Sequence, residues 1–359
     1  QTIRIVAGAA GSSDCPLDCT LSVGTLQGLL AGGSLTLRAS NALAKATIDV
    51  EAGVDVDLTG VLTGAQQVFK LQSEDITLHA NALIRSGGGT VILSGLGSAS
   101  ALLGIDDPTG GLGRLFGVEP TDFRTEAQKP LSLLSPGGSQ GGRVTLHSGA
   151  AIITRPPRTP SAGDNRLGLM SGAAGRVIIR GEHIDLQAGS GIFAQGDGTH
   201  AGARVELTAF SGANHYLFTA QAASTLTLAG EVRAGRIDAA SIAVAVSAGS
   251  QEKYALQALG LLAGISAAVQ VAKADATTRV QATAELRADG DLNLSALAST
   301  DASVRMRMFA TNNGQAAVAL GAGYAETGGV AHTVVEGGLI HAGGRLSIVA
   351  LNNATAMSR

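Results

Sequence analysis

An aliphatic pair that recurs at a fixed interval constrains the fold of this chain more than any other feature. The pair returns at a 21-residue interval, as Ile184/Leu186, Val205/Leu207 and Leu226/Leu228. In each copy one polar residue separates the two aliphatic ones, which is the period of two expected for a strand with one buried face. A strand that recurs at a short interval, with glycine-rich turns between the copies, indicates a solenoid. We therefore predict a β-helix with 21-residue coils over 176–230.

The composition favours narrow coils over a globular core. The 359 residues include 50 Gly but no Trp, three Tyr and seven Phe, so a large aromatic core cannot be assembled. Stacked Val, Ile and Leu fill a thin interior, and Gly takes the tight corners. We predict an all-β chain folded as a right-handed parallel β-helix (solenoid), with a short N-terminal helix and two loop insertions. Roughly 13–15 coils would give a rod about 60–70 Å long.

The interval between repeats lengthens in the last third of the chain. Val232, Leu286 and Ile340 mark equivalent strand patterns that recur at a constant 54-residue interval. We interpret each 54-residue unit of 231–359 as about three coils. Within the first unit, residues 254–273 are apolar enough to form a strand, a helix packed beside the coils or a membrane span. A strand is favoured, because glutamines interrupt the run and the later copy is shorter and rich in glycine.

Two segments break the strand pattern. Residues 96–142 contain four of the eight prolines, and residues 156–175 contain three more. Proline cannot donate a hydrogen bond to a sheet ladder, so both segments are predicted to lie off the sheets. The strand pattern resumes between them, over 143–155, as expected for insertions at coil corners. The N-terminal part, 1–95, is predicted to hold the first coils, a cysteine loop and the short helix.

The short helix is predicted from the spacing of three leucines. Leu26, Leu29 and Leu30 fall on one helical face, and Gly32 and Gly33 end the turn. Such a helix would shield hydrophobic surface on the first coil that has no preceding coil to cover it. Both ends of the chain are expected to have been cut from a longer polypeptide, since no signal peptide is visible and the sequence stops just after a strand pattern.

The two cysteines, Cys15 and Cys19, lie in one short segment, DCPLDC. A small disulfide loop in an oxidising compartment is the first interpretation, because the flanking residues are typical of a turn and the chain otherwise avoids cysteine. Two free thiols are the second interpretation. A metal site is the third, since no His or further Cys lies nearby to complete four ligands. The disulfide between Cys15 and Cys19 is our prediction.

Catalytic chemistry has little support in the sequence. Enzymes with a β-helix fold that cleave polysaccharides need clustered carboxylates on adjacent coils and aromatic platforms for sugar rings. The acidic candidates all lie in turn-like contexts: Asp106, Asp107, Asp197, Asp289 and Asp291. The seven histidines show neither HxH nor HExxH spacing, so no metal site is predicted. We predict no catalytic residue, no cofactor and no enzyme activity.

The candidate partner contacts are apolar and basic residues of the two insertions and their edges: Leu115, Phe116, Phe123, Arg155, Arg158 and Arg166. The apolar residues must be buried either against the flank of the solenoid or against a partner. The arginines would suit an acidic glycan or a neighbouring filament, with a solvated loop as the alternative. A net charge of −3 with interspersed signs argues against nucleic acid as a partner.

Residues 19–60 resemble a segment that recurs in the filamentous-haemagglutinin-like proteins, which are very large bacterial adhesins. In that family a strand, an L-x-x-L-L-x-x-G turn and a V-T-L-x-A-x-N strand lead into a β-helix. The matching residues here are Leu26, Leu29, Leu30, Gly33, Leu35, Thr36, Leu37, Ala39 and Asn41. Ala42 and Leu43 depart from the family, which commonly has a polar–apolar pair there. The alanine- and glycine-rich stretches of the 54-residue units resemble the same family.

The resemblance implies a structural and adhesive role. It predicts a segment of a secreted, extracellular or cell-surface bacterial protein that forms a rigid rod or filament for attachment between cells or to surfaces, as in biofilms. The expected partners are other copies of the chain or neighbouring segments of the same giant polypeptide, and a host or cell-surface glycan. The alternative is a carbohydrate-active β-helix enzyme, a polysaccharide lyase or hydrolase, which would need an aligned groove with at least about three ionisable residues.

Overall fold

The computed structural model describes residues 2–9, 18–31, 33–39, 46–64, 66–95, 142–154, 174–196, 201–215, 219–255, 262–310 and 317–358. Across these residues the chain forms 24 strands and one helix. In chain order they are β1 (Thr2–Val6), β2 (Cys19–Ser22), α1 (Val23–Leu30), β3 (Leu35–Arg38), β4 (Thr47–Val50), β5 (Asp55–Leu58), β6 (Val68–Ser73), β7 (Asp75–Leu78), β8 (Leu83–Ser86), β9 (Thr90–Gly95), β10 (Arg143–Leu146), β11 (Ala151–Ile153), β12 (Val177–Gly181), β13 (His183–Leu186), β14 (Gly191–Ala194), β15 (Arg204–His215), β16 (Thr219–Leu228), β17 (Glu231–Ala234), β18 (Arg236–Ala255), β19 (Leu262–Val280), β20 (Glu285–Ala288), β21 (Leu292–Ala310), β22 (Ala317–Val335), β23 (Leu339–Ala342) and β24 (Leu346–Ser358).

The strands form three parallel sheets, which we call I, II and III. Sheet I has the strand order β2-β1-β4-β7-β10-β13-β16-β19-β22. Sheet II has the order β5-β8-β11-β14-β17-β20-β23, and sheet III the order β3-β6-β9-β12-β15-β18-β21-β24. From β4 onwards the chain visits sheets I, II and III in turn, so three successive strands make one coil and β4 to β24 make seven complete coils. The described chain is therefore a parallel β-helix, which confirms the predicted fold class.

Ladders of aliphatic side chains fill the interior of the column. In sheet I the residues that stack in register are Ile48, Ile76, Val144, Ile184 and Leu226. In sheet II they are Val56, Ile84, Ile152, Ile192, Val232 and Leu286. All of these side chains are at most 1% exposed and belong to one hydrophobic cluster. Full burial of each one stabilises the fold by roughly 1.5–3 kcal/mol, so the stacking of like residues is the main source of stability.

The 21-residue coil predicted over 176–230 is wrong. Ile184 pairs in register with Leu226, which lies two repeat intervals further along the chain. The intermediate copy belongs to sheet III, where Val205 pairs with Val177. The strands that carry these three pairs present the same alternation of aliphatic and polar residues although they belong to sheets I and III, so a repeat of this pattern does not mark one coil. The 21-residue interval therefore separates strands of different sheets.

Each 54-residue unit of 231–359 is one coil and not three. Val232 pairs with Leu286, and Leu286 pairs with Ile340. The coil is long because its strands in sheets I and III are long: β18 has 20 residues, and β19, β21 and β22 have 19 each. The described column thus has fewer coils than the roughly 13–15 predicted, and the nine strands of sheet I extend about 38 Å.

Alanine replaces the branched aliphatic residues where the strands lengthen. Sheets I and III continue past the column and face one another, and Ser224 Oγ lies 2.7 Å from Ser241 Oγ across the gap. The buried residues between the two sheets form a second cluster: Ala213, Ala220, Ala222, Ala243, Ala245, Ala272, Ala274, Ala276, Ala296, Ala298 and Ala302. Methyl side chains fill only a narrow space, so the small-residue composition suits a thin double layer of sheets.

The segment 254–273 is strand wherever the structure describes it, as favoured above. β18 continues to Ala255 and β19 begins at Leu262, whereas residues 256–261 lie outside the described ranges. Among the described residues, no helix has the length and hydropathy needed to cross a bilayer.

Both predicted insertions fall at coil corners, and the strands on either side of them stay in register. The first lies between β9 and β10, and Val144 of β10 pairs with Ile76 of β7. The second lies between β11 and β12, and Ile179 of β12 pairs with Leu93 of β9. Almost all residues of the insertions lie outside the described ranges. The column continues across both interruptions.

Close backbone packing requires glycine where the chain re-enters the column after the first insertion. A Cβ atom on Gly142 would lie 1.9 Å from the carbonyl oxygen of Glu74 and 2.0 Å from that of Gly95. The carbonyl oxygen of Gly142 also accepts hydrogen bonds from the amides of Glu182 and His183. The backbones of consecutive coils therefore meet at this corner without space for a side chain.

The predicted short helix is present as α1. Its N-cap is Ser22, whose Oγ accepts a hydrogen bond of 3.2 Å from the Thr25 amide. Leu26 and Leu30 are fully buried, but Leu29 is 45% exposed. The prediction that all three leucines share the buried face is thus wrong for Leu29, because the positions i and i+4 define the buried stripe of so short a helix.

α1 covers the first edge of sheet II. The helix stands between β2 and β3, the place that a sheet II strand takes in the later coils, and it packs against β5, the outermost strand of that sheet. Gln27 Nε2 donates a hydrogen bond of 2.7 Å to the carbonyl oxygen of Asp57 on β5. An exposed strand edge is a template for pairing with another chain, so the helix closes this end of sheet II.

A disulfide cross-link distinguishes the observed coil length from the predicted one. Asp185 and Thr227 are register partners on the outer face of sheet I, and neighbouring parallel strands bring their Cα atoms within the range that a disulfide spans. The double substitution Asp185→Cys/Thr227→Cys should therefore form a cross-link on mild oxidation, detected as a linked pair of tryptic peptides.

The matched control is Asp185→Cys/Glu206→Cys, whose positions are spaced at the 21-residue interval but lie in different sheets. It should yield no linked peptide. Cross-linking of the control pair in preference to the test pair would restore the 21-residue coil and contradict the observed register.

Candidate interaction surfaces

The two ends of the column differ in the apolar surface that they expose. At the last coil, Leu346 and Ile348 are 48% and 47% exposed, although their register partners Leu292 and Leu294 are fully buried. At the first coil, α1 covers the edge of sheet II. Among the described residues, most of the large exposed hydrophobic side chains belong to β22, β23 and β24: Tyr324, Val330, Val335, Leu339, Leu346, Ile348, Val349, Leu351 and Met357. We call this surface the open end.

The open end also presents backbone groups that can pair. β22, β23 and β24 are the last strands of sheets I, II and III, so each is hydrogen-bonded to a neighbour on one side only within the described residues. Inward-facing apolar side chains and strand-edge N–H and C=O groups together are complementary to one more coil, which following residues of a longer chain or another copy could supply.

Salt bridges on the outer face of sheet II connect adjacent coils. Arg85 Nε donates a hydrogen bond of 2.8 Å to Asp55, and its terminal nitrogen lies 3.1 Å from Asp57. The hydrogen bond that Arg85 donates to Asp55, followed by the negative charges of Asp55 and Asp57, raises the pKa of Arg85. Further along the sheet, Glu285 contacts Arg233 at 3.2 Å and Arg287 at 2.5 Å. Pairs this exposed contribute about 0–1 kcal/mol each, so they support the register and do not form a binding cleft.

A denser polar network lies on the outer face of sheet III around Asp238. Its carboxylate accepts hydrogen bonds from Arg236 Nε at 2.9 Å, Asn293 Nδ2 at 2.6 Å and Arg204 Nε at 2.5 Å. Burial alone would raise the pKa of Asp238, but the hydrogen bonds from Arg236 and Asn293 and the charge of Arg204 outweigh it and hold the pKa below its ordinary value. The three donors come from three consecutive coils, so the network connects these coils along the column.

Part of sheet III is buried on both faces. Ile92 and Ile178 point away from the column, as neighbours of the inward-facing Leu93 and Ile179, and yet each is 1% exposed. The sequence runs VIL in β9 and VII in β12 carry this signal, because strands buried on both faces are continuously apolar. Sequence reasoning missed it by looking only for alternation.

The predicted partner contacts cannot be placed on this flank or any other. Leu115, Phe116, Phe123, Arg155, Arg158 and Arg166 all lie outside the described residues. Cys15 also lies outside them, whereas Cys19 begins β2 and is 7% exposed. These six contacts and the disulfide therefore stay predictions.

The acidic residues considered for catalysis are described only at Asp289 and Asp291, since Asp106, Asp107 and Asp197 lie outside the described ranges. Asp289 and Asp291 flank a glycine between β20 and β21. Asp291 Oδ1 accepts a hydrogen bond of 2.9 Å from the Arg345 amide, which belongs to the next coil. The pair thus lies at a coil corner, as the sequence predicts, and Asp291 connects two coils there.

A small cavity lies on sheet III near Asp301. It is lined by side chains of β18, β21 and β24, including Val244, Thr300 and Asn353, and its free volume of about 20 Å³ suits one water molecule. A sugar ring does not fit into so small a space.

Two of the scattered histidines meet at a corner of the column. His79 and His147 follow the last residues of β7 and β10, and their rings stack with centroids 5.6 Å apart and an angle of 12° between planes. The sequence predicts a coil-corner position for both but gives no sign that they are neighbours, because a whole coil and an insertion separate them along the chain. Within the described residues, no group of three or more His, Cys, Asp or Glu side chains could hold a metal ion.

No protein-family model, curated protein or solved structure matches this chain. The fold and the surfaces described above are therefore the basis for a functional proposal.

Protonation of Asp238 should weaken the fold in acid. The depressed pKa means that the folded state favours the ionised carboxylate, so this contribution is complete above the ordinary aspartate pKa of about 3.9 and is lost as the pH falls through the lower folded-state value. Asp238→Asn should lower the free energy of unfolding by about 1 kcal/mol at pH 7 and flatten its pH dependence below pH ~4, as measured by urea unfolding.

The control for this prediction is Asp275→Asn, at an exposed position on β19. Its free energy of unfolding should equal that of the parent chain both at pH 7 and below pH ~4. Equal acid sensitivity in the Asp238→Asn variant and the parent chain would show that the network does not contribute as described.

Proposed function

We propose that this chain is a structural and adhesive segment of a very large secreted bacterial surface protein. The resemblance of residues 19–60 to the filamentous-haemagglutinin-like adhesins supports this function. The β-helix column is consistent with that resemblance, because a rod built from stacked coils is the architecture that the family's strand–turn–strand segment introduces.

The observation that carries the proposal is the unbroken register of the column. Each coil is hydrogen-bonded along three sheets to the coils before and after it, and the register is maintained across both insertions. Bending such a column requires hydrogen bonds to break in at least one sheet, so the rod resists bending. A stiff rod holds adhesive surfaces away from the cell, and insertions at the corners add local contacts without interrupting the rod.

Contacts between copies, or between neighbouring segments of one giant chain, would use the open end. The exposed leucines and strand edges of β22–β24 provide both apolar surface and unpaired backbone groups for end-to-end association. A host or cell-surface glycan remains a candidate ligand for the arginines near the second insertion, Arg155, Arg158 and Arg166.

Attachment of displayed cells tests the proposal. The chain is displayed on a non-adherent bacterium, and cell–cell aggregation and surface attachment are measured. Leu346→Lys/Ile348→Lys places charges on the open end and should abolish association between cells, because charged side chains oppose burial of that surface. Leu29→Lys, at a leucine of similar exposure on α1, is the matched control and should leave association unchanged.

Two outcomes oppose the proposal. Cells that carry the chain and attach no better than the parent bacterium would contradict an adhesive role. Release of unsaturated or reducing-end products when the purified chain is incubated with acidic and neutral polysaccharides would instead support a carbohydrate-active β-helix enzyme.

Secretion and the Cys15–Cys19 disulfide form one linked proposal. If the chain matures in an oxidising compartment, iodoacetamide should label neither cysteine in the denatured, unreduced protein and both after reduction, as mapped by peptide mass spectrometry. Labelling of either cysteine without reductant would contradict the disulfide.

A further inference from the structure

The outer face of sheet II carries an aromatic ring that lies on the sheet. Phe193 of β14 points outwards, since its neighbours Ile192 and Ala194 are fully buried in the interior. A Cβ atom on Gly191 would lie 2.4 Å from Phe193 Cε2 and 2.6 Å from Phe193 Cζ. The phenyl ring therefore lies over Gly191, where no side chain separates it from the backbone. Gly191 is buried, whereas Phe193 is partly exposed.

Small and apolar residues of the preceding coil enlarge this surface. Ala151 of β11 is the register partner of Gly191 and is 8% exposed. Ile153 is the register partner of Phe193 and is partly exposed. Two neighbouring strands thus present one apolar area around the ring. Because this area lies on the outside of a sheet, it is a platform and not a cleft.

Charged side chains border the apolar area at both ends. Towards the first coil, Arg85 is the register partner of Ile153 and is bonded to carboxylates of β5. Towards the last coil, Arg233 is the register partner of Phe193 and lies 3.2 Å from Glu285. The side chains of Arg85, Arg233 and Glu285 are 27%, 34% and 30% exposed, so their remaining donors and acceptors can reach a ligand. Because the ion pairs already orient these groups, a ligand need not order them on binding.

We propose that this surface binds a linear, neutral polysaccharide, with one sugar ring stacked on Phe193 and hydroxyl groups bonded to the charged side chains on either side. A pyranose ring has an apolar C–H face and a rim of hydroxyl groups, which matches an apolar area bordered by hydrogen-bonding groups. We call Arg85, Ile153, Phe193, Arg233 and Arg287 the sheet II platform. These residues are successive register partners. The platform therefore spans four inter-strand steps, about 19 Å, and suits an extended chain of sugars.

The balance of charge on this face favours a neutral ligand over an acidic one. Among the described residues of the outer face of sheet II, carboxylates outnumber guanidinium groups by four to three. These groups are Asp55, Asp57, Glu231 and Glu285, and Arg85, Arg233 and Arg287. Each arginine contacts at least one of the carboxylates, so a sulfated or carboxylated polymer would meet repulsion and would have to displace existing ion pairs. The inference stands apart from the proposed adhesive role, since it needs neither the open end nor association between cells.

Calorimetric titration of the purified 359-residue chain tests the sheet II platform. The probes are cellohexaose, mannohexaose and xylohexaose, which are linear and neutral, and at least one of them should bind saturably. Phe193→Ala should weaken that binding at least about tenfold, because it removes both the apolar contact area and the aromatic face. Phe193→Trp should preserve the binding, since another aromatic ring replaces the phenyl ring.

Gly191→Ala tests the position of the ring separately from its presence. The added methyl group would occupy the space of Phe193 Cε2 and Cζ, so the ring would have to leave the sheet surface, and binding should weaken although Phe193 is retained. The matched control is Tyr324→Ala, which removes an aromatic residue that is 54% exposed but lies on β22 of sheet I. This variant should bind the probe like the parent chain. Circular dichroism checks that all variants are folded, and Phe193→Leu replaces Phe193→Ala if the latter fails to fold.

Four results would overturn the proposal. The first is the absence of saturable binding of all three probes by the parent chain, and the second is unchanged affinity in the Phe193→Ala variant. The third is an equal loss of affinity in the Tyr324→Ala variant, which would indicate binding spread over surface aromatic residues. The fourth is tighter binding of dextran sulfate than of every neutral probe, which would indicate recognition of charge. Because binding is measured on the purified chain, these results are independent of the cell-attachment experiment.

Discussion

Register between coils is the constraint on which the rest of this structure depends. A parallel ladder places residue i of one coil against an equivalent residue of the next, so an inward-facing aliphatic side chain on one coil demands another directly above it. A slip of one strand by one residue would move its inward-facing aliphatic side chains to the outer face of the sheet. The sheet II ladder from Val56 to Leu286 persists although the chain between its members varies from one short coil to a coil that contains the first insertion. Length variation is thus confined to the corners and to the ends of strands, where it does not affect the register.

Two different cores follow from that constraint. Near sheet II, the three short strands of each coil enclose branched aliphatic side chains. Farther out, the long strands of sheets I and III enclose mainly alanine, with small polar side chains such as Ser224 and Ser241 among them. The second arrangement adds hydrogen bonds between coils without adding thickness, so the later coils are joined over much longer strands than the early ones: β18 has 20 residues, against 4 in β4. The additional hydrogen bonds between coils make the rod stiffer, and the small side chains allow the two sheets to lie close enough for these long strands to form.

The sequence predicts the strands well and their assignment to sheets poorly. Alternation identifies Ile184, Val205 and Leu226 as strand residues, but it is the same in these strands of sheets I and III, so the 21-residue interval could not reveal that Val205 belongs to a different sheet from the other two. Similarly, a 54-residue unit is compatible with several short coils or with one long coil, and only the lengths of its strands distinguish these two arrangements. The helix was predicted from its leucines, whereas the exposure of Leu29 depends on how so short a helix packs against β5.

Surface clusters are predictable only when the register is known. The histidine pair, His79 and His147, has no sequence motif because its members are brought together by stacking and not by spacing. The open end likewise consists of residues such as Leu346, whose equivalents one coil earlier are core. The partner contacts and the disulfide involve residues outside the described ranges, and they depend on the resemblance and the sequence alone.

Distance measurement along the column tests the stacked register most directly. Asp57 and His341 occupy the same register position on the first and last strands of sheet II, six steps apart. Spin labels attached to cysteines at these two positions should report a narrow distance distribution centred near about 29 Å, six inter-strand spacings of about 4.8 Å. A broad distribution, or one centred beyond about twice that distance as a rod of many short coils would give, would contradict a single column in which each 54-residue unit is one coil.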